Sequence, residues 1–467
     1  MAQTPPRPRS PGSLWLVRSP RDRPAQQTEE DVVIAGAATS ASPAGQAPRR
    51  TRRLGAAGAM AAQLSQAAGS LVISVLAVRA MPLADFAALS VLLAAVVVVT
   101  GLTSGLVGDS LTVLDRADPV IRTALRRLLT AVMAAALLTG SVWTALTGLV
   151  GTATAAAFGV LLALWVAEDV LRRLLMANLR FWPIVAVDTT HLAVSSAVAL
   201  GWPAVTGQRP TVGLYLVALC CGQVCAALVA LPFVPPADRR FGPTAPGGVR
   251  RVLAFGVHRS IQAALRPTML LLMRVLVIAV AGALTYGHLE AARLYAAPAL
   301  LVVNGFGSYL LSTFAADRHR DARSAVRRAD RAGLFLTAVT LGLTALAMVV
   351  CVVQPGLVSP TVPVSPVAVA SWGLFTGAVA VSQPYGALVA VRGGQARVLV
   401  VRALDTCISL AAVGVGLGTS VLSADLAPAA LAVGPLLGAL LLRPMARRQD
   451  PAGTPRRESA TSTRPAA

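Results

Sequence analysis

From about residue 55 onward the chain is written as long apolar blocks separated by short polar ones. The blocks centre on residues 57–78, 83–107, 128–149, 152–167, 183–201, 212–234, 262–284, 289–314, 332–353, 366–391, 398–420 and 426–442. Blocks of this length match what a helix needs to cross a hydrocarbon core ~30 Å thick. The pattern predicts an all-α polytopic membrane protein with about twelve transmembrane helices in two pseudo-symmetric six-helix lobes. Residues 1–53 and 444–467, rich in Pro, Arg, Ser, Gln and Ala without apolar period, are expected to be disordered tails. Residues 54–235 and 261–443 would be the lobes, with 236–260 a linker between them.

The polar breaks alternate in charge. Arginines gather before the first block (Arg49, Arg50, Arg52, Arg53) and after the second (Arg116, Arg122, Arg126, Arg127). They gather again after the fourth (Arg172, Arg173, Arg180), the sixth (Arg239, Arg240, Arg250, Arg251, Arg259) and the eighth (Arg318, Arg320, Arg323, Arg327, Arg328, Arg331), and then after the tenth and twelfth. The intervening breaks hold only Arg79, Arg209 and Arg293. Cytoplasmic loops collect arginine and lysine, so both termini are expected in the cytoplasm and the protein in the cytoplasmic (inner) membrane.

Two stretches echo each other. "RFWPIVAVDTTHLAVSSAVALG" begins at Arg180 and "RVLVVRALDTCISLAAVGVGLG" at Arg397, so that Asp188-Thr189 corresponds to Asp405-Thr406 and Gly201 to Gly418. "GLTSGL…LDR…TALRR" (Gly101 to Arg127) is paralleled by "GFGSYL…ADR…SAVRR" (Gly305 to Arg328). A duplication of six helices implies a site between the two halves.

Charged residues within the blocks are the candidates for chemistry, because a charge at mid-bilayer costs roughly 2.5–3.5 kcal/mol on insertion scales. Arg274 lies within "LLLMRVLVIAV", with Arg266, Pro267 and Gln262 on the same block. It pairs with a carboxylate on another helix, or it lines a cavity for an anionic group. Asp188, His191 and Ser195 share one face of the fifth block at spacings of three and four. They form a structural pair or a proton-coupling group. Arg402 and Asp405, three apart on the eleventh, are expected to pair locally, as are Glu290 and Arg293. Gln63, Gln66, Asn304 and Gln383 are single amides suited to interhelical hydrogen bonds or to a ligand.

Composition narrows the classes. Hydrophobic residues make up 55% of the chain and charged ones 13%, so the formal charge of +21 belongs to loops facing lipid head groups rather than to nucleic acid. All 41 basic residues are arginine. Without lysine there is neither a Walker phosphate site nor a Schiff-base enzyme. The cysteines Cys220, Cys221 and Cys225 lack metal-site spacing, so no cofactor or metal is expected. The longest outer loop, "QPGLVSPTVPVSP", holds no acid or histidine for acid–base work, so no extracytoplasmic enzyme is expected.

The segments "AAQLSQAAGSLVISVLAVRAMPLADFAALSVLLAA" and "AGALTYGHLEAARLYAAPALLVVNGFGSYLL" resemble polysaccharide flippases of the multidrug/oligosaccharidyl-lipid/polysaccharide exporter superfamily. The resemblance spans about residues 55–445. It implies two six-helix lobes around a central cavity and alternating-access movement of polyprenyl-linked oligosaccharide. It places Arg274 on the seventh span, which lines that cavity in the family; Arg266, Gln262, Gln63, Gln66 and Asn304 are the further candidate substrate contacts. Membrane lipid and a lipid-linked sugar would be the partners. Where that family places cations on its first span, this chain has Gln63 and Gln66. Two alternatives remain. A major-facilitator-type exporter would also have twelve spans, but Asp115-Arg116 lacks the glycines that flank such a pair there. A non-transporting scaffold for polysaccharide-synthesis enzymes would need only its loops.

Overall fold

The computed structural model describes residues 49–115, 118–239, 247–316, 321–359 and 363–448, and among these there is no β-strand. The tails expected at either end fall outside the described residues, except for 49–53 and 444–448, which are helical. Twelve long helices follow one another: α1 Arg49–Ala80, α2 Leu83–Thr103, α3 Pro119–Thr147, α4 Thr152–Ala177, α5 Phe181–Thr206 and α6 Val212–Ala230 in the first half. The second half has α7 Val249–Ala281, α8 Ala283–Ala316, α9 Ala322–Val353, α10 Pro366–Val391, α11 Gln395–Gly418 and α12 Val433–Arg448, the last entered through a short helix at Ala427–Leu431. Eleven are long and apolar enough to cross a membrane, and α8, at 34 residues, is also long enough. The protein is a multi-pass membrane protein.

Local chemistry sets the ends. Asp118 accepts from the Val120 N–H and precedes Pro119, whose fixed φ suits a first helical position. Asp321 caps α9 through the Ser324 N–H at 3.1 Å. Gly148 and Gly207 close α3 and α5 in the left-handed region, at φ 63° and 69°, where a Cβ would be strained. α4 corrects the sequence expectation, which ended this span at 167. It continues to Ala177, because Glu168–Arg172 and Asp169–Arg173 are i,i+4 pairs that extend the helix.

The described residues from Arg52 onward belong to one compact unit. Helix pairing repeats across its halves: α3–α4, α4–α6 and α5–α6 in the first correspond to α9–α10, α10–α12 and α11–α12 in the second. α2 and α10 are the most enclosed helices. Outward faces carry exposed Leu146, Leu334, Val352 and Leu440, side chains suited to lipid tails.

The halves meet where α2 lies along α7 and α8. α2 passes through a π-turn at Ser104–Gly108 before a last α-turn at Asp109–Val113. At the crossing, a Cβ on Gly105 would collide with the Ser260 backbone, and one on Gly256 would come within 2.8 Å of the Leu106 carbonyl oxygen. Gly101 and Gly105, four apart, therefore let two backbones touch. Pro267 leaves the Ala263 carbonyl without its helical N–H. A Cβ on Gly101 would lie 3.1 Å from that oxygen.

Candidate functional site

Arg274 has a partner. It and Glu290 stand eight residues either side of the Gly282 turn (282 − 274 = 290 − 282 = 8), which places both about 12 Å from it along helices rising 1.5 Å per residue. Arg274 Nη2 is 3.3 Å from Glu290 Oε1, and Nη1 donates to the Ser90 carbonyl oxygen of α2 at 2.6 Å. Ser90 lies seven residues into α2. Arg274 therefore joins α7 and α8 to a helix of the other half at one depth, nearer the turn than the span's midpoint. Glu290, 1% exposed, also receives Arg293 Nε at 2.7 Å and the Tyr286 hydroxyl at 2.7 Å. The expected Glu290–Arg293 pair is present, with Arg274 as a third member. One carboxylate thus faces two guanidinium groups, and the Trp372 indole fixes the neighbouring turn by donating to the Leu289 carbonyl at 3.0 Å.

A second buried cluster lies inside the first half. Asp188 on α5 receives Arg172 of α4 (Nε to Oδ1 3.0 Å, Nη2 to Oδ2 3.2 Å) and the Ser65 hydroxyl of α1 at 2.7 Å, while Glu168 lies 3.7 Å from Arg172 Nε. Arg172 belongs to the arginine group that the sequence pattern puts in a loop after the fourth block, but it lies within α4 and is 3% exposed. Asp188 is not bonded to His191, which instead packs edge-on to Trp165 at 5.6 Å, with its Nδ1 beside Gly222. Ser195 also packs on Gly222. The shared face of Asp188, His191 and Ser195 is divided between two environments.

In the second half Asp405 is likewise buried at 7% exposure, but its surroundings differ. Its carboxylate packs on Gly434 and Gly438 of α12, close enough that a Cβ on Gly434 would collide with it. Arg402 is not within ion-pair distance of it, because Asp405 turns toward α12 while Arg402 lies against Gly386 of α10. Arg402 donates to Gln383 Oε1 at 3.5 Å.

At the arginine-rich end, Asp109 accepts from Arg259 of α7 at 3.0 Å and lies 3.8 Å from Arg173 of α4, bridging the halves. Of the remaining candidates, Gln262 and Arg266 are half-buried on α7, and Gln63, Gln66 and Asn304 are exposed. Nothing in the geometry brings these amides to Arg274. Asp317, Arg318 and Arg116 of the second sequence echo lie outside the described residues.

Twelve helices in two similarly packed halves, joined by a polar seam along α2 and α7, define a two-lobe membrane fold. Solved structures share it. An inward-facing multidrug resistance MATE family transporter of the MOP superfamily matches with TM-score 0.67 at 13% identity, over 83% of this chain and 97% of that one. An outward-facing conformation of a transporter of the same description matches at 0.60 and 12%, over 83% and 92%. A MOP superfamily transporter from Pyrococcus furiosus, described as having a reverse-polarity binding pocket that suggests a different function, matches at 0.60 and 12%, over 84% and 93%. No protein-family model matches the chain, and no curated protein matches it.

Proposed function

We propose that this protein is a secondary-type transporter of the flippase kind. It moves a polyprenyl-linked oligosaccharide or related envelope precursor across the cytoplasmic membrane by alternating access, with both termini in the cytoplasm. The observation that carries this reading is the likeness of its fold to both inward- and outward-facing transporters. A lipid-linked sugar is favoured over a cationic drug by the charge inside the second half. There Arg266, Arg274, Arg293 and Arg402 stand against Glu290 and Asp405, an excess that suits a phosphate-bearing substrate. Arg274 and Glu290 act at the seam between halves, and Arg266 with Gln262 faces the substrate path.

Reconstitution into liposomes tests it. The protein should carry a fluorescent polyprenyl-diphosphate sugar to the opposite leaflet, read as loss of protection from a membrane-impermeant quencher. Movement of a cationic dye without movement of the sugar lipid would install the drug-exporter alternative. Movement of neither, with retained binding to polysaccharide-synthesis enzymes, would leave a scaffold.

A further inference from the structure

At the arginine-rich end of the second half, α9 begins where α12 ends. Asp330, near the start of α9, accepts from Nε and Nη2 of Arg443 on α12, both at 3.0 Å, and from the Tyr385 hydroxyl of α10 at 2.7 Å. This clamp fixes the register of the two antiparallel helices. Arg327 lies one turn nearer the arginine-rich end than Asp330, and Arg447 one turn nearer it than Arg443. Residues three or four apart share a helix face, so the clamp sets Arg327 and Arg447 on the two walls of one notch. Both are exposed, as are Arg323, one turn before Arg327, and Arg331, beside Asp330. Asp330 is taken by Arg443, and Asp321 caps α9 through the Ser324 N–H. Among the described residues no carboxylate at ion-pair distance offsets Arg327 or Arg447. On the other side of the clamp the same outward faces turn apolar within a turn, with Leu334 and Phe335 exposed on α9 and Leu440 on α12. In the first half α6, the counterpart of α12, ends in buried Ala226 and Ala230 and runs on into Leu231, Pro232 and Phe233. The notch is therefore not a consequence of the shared helix packing.

We propose that this notch is an anionic-lipid site on the outside of the second half. It holds the phosphate of one membrane lipid between Arg327 and Arg447, with the chains laid over Leu334, Phe335 and Leu440. A guanidinium grips phosphate oxygens with two parallel N–H bonds, and two of them on separate helices enclose the group from both sides. Basic pockets between transmembrane helices at the membrane surface suit such head groups. The apolar continuation decides the class of ligand. A soluble anion has no chains to lay on the exposed leucines, and an acidic protein segment would not follow them into hydrocarbon. A lipid seated here bridges α9 and α12 beside the clamp and reinforces their packing. The site lies on the lipid-facing side, away from the seam along α2 and α7, and does not depend on what the protein transports.

The test is native mass spectrometry of the purified full-length protein in detergent, with phosphatidylglycerol and phosphatidylcholine offered in equal amounts. Wild type should take up phosphatidylglycerol first, and its preference should fall about tenfold in the double variant Arg327→Gln/Arg447→Gln. The double variant Arg250→Gln/Arg251→Gln removes two exposed arginines from the start of α7, at the same end of the molecule, and should keep the preference. An equal fall in both double variants would show diffuse attraction to the arginine-rich surface and overturn the site. No preference in wild type overturns it as well, and that measurement stands even where a variant fails to accumulate. Competition with soluble glycerol phosphate separates the sources. Retention of the lipid at matched concentration supports the proposal, whereas displacement assigns a free anion and ends it. No transport assay enters, so failure of the transport reading leaves this site standing, and loss of the site leaves that reading untouched.

Discussion

Glu290 neutralises two arginines with one carboxyl group, so the members of its cluster are not interchangeable. Removing Arg274 leaves Glu290 with Arg293 at 2.7 Å and the Tyr286 hydroxyl, and the carboxylate is not stranded. Removing the carboxylate leaves two guanidiniums facing each other in an apolar region. Breaking a buried pair from the side that leaves charge uncompensated costs about 3–5 kcal/mol. Glu290→Gln is therefore expected to lower the thermal midpoint in detergent more than Arg274→Gln does, and equal losses would mean that Arg293 does not share the carboxylate. In the other half, Asp188→Asn keeps the Ser65 contact but removes the charge closest to Arg172. A loss of about 3 kcal/mol is expected there from the same effect, checked by the unfolding midpoint. Much of this was written in the chain. The equal spacing of Arg274 and Glu290 about Gly282 and the i,i+4 pair Glu168–Arg172 are both legible signals, but neither says which helices face each other.

At the scale of elements, the α2–α7 crossing depends on glycine. Gly105→Ala would drive a methyl group into the Ser260 backbone, which has no side-chain end to swing away. Backbone approach of this kind is a property of small residues four apart. The expected result is a separation of α2 from α7, read as faster cross-linking of newly exposed cysteines on the crossing, with loss of transport at near-normal abundance. Gly201, with open space beside it, should accept alanine without effect. The spacing of Gly101 and Gly105 was visible in the sequence. Its partner was not, because any of eleven other helices offers small residues, and only packing selects α7.

At the scale of the whole molecule, the proposed alternating access would require the halves to part at one end at a time. Asp109 and Arg259 bridge them at the arginine-rich end, both partly exposed, so the pair itself contributes little to stability. Its position makes it a place to hold the halves together. A cysteine pair at 109 and 259, in a background lacking the five native cysteines, should stop transport when cross-linked and recover it on reduction. Unchanged transport with the cross-link complete would mean that this end never opens. Reporter fusions after Gly207 and after Gly393 should lie on opposite sides of the membrane, the first outside and the second inside. Both on one side would reject the orientation proposed from the arginine-rich loops.

The sequence by itself determined the class of the molecule. Apolar blocks of membrane-crossing length, glycine and proline at their ends and arginine at alternate breaks leave a helical bundle as the form that satisfies its backbone in lipid. It also matched Asp188 with Asp405, since each opens an Asp-Thr pair eight residues after an arginine and thirteen before a glycine. Only the tertiary structure decided that Asp188 is held by Arg172 and Asp405 turns away from Arg402. An ion pair depends on the rotation and depth of neighbouring helices, which one-dimensional spacing does not encode between helices. The same reason explains Arg274. A charge in an apolar run announces that a partner exists, but the identity of that partner, Glu290 with the Ser90 carbonyl, was settled by how α2, α7 and α8 pack.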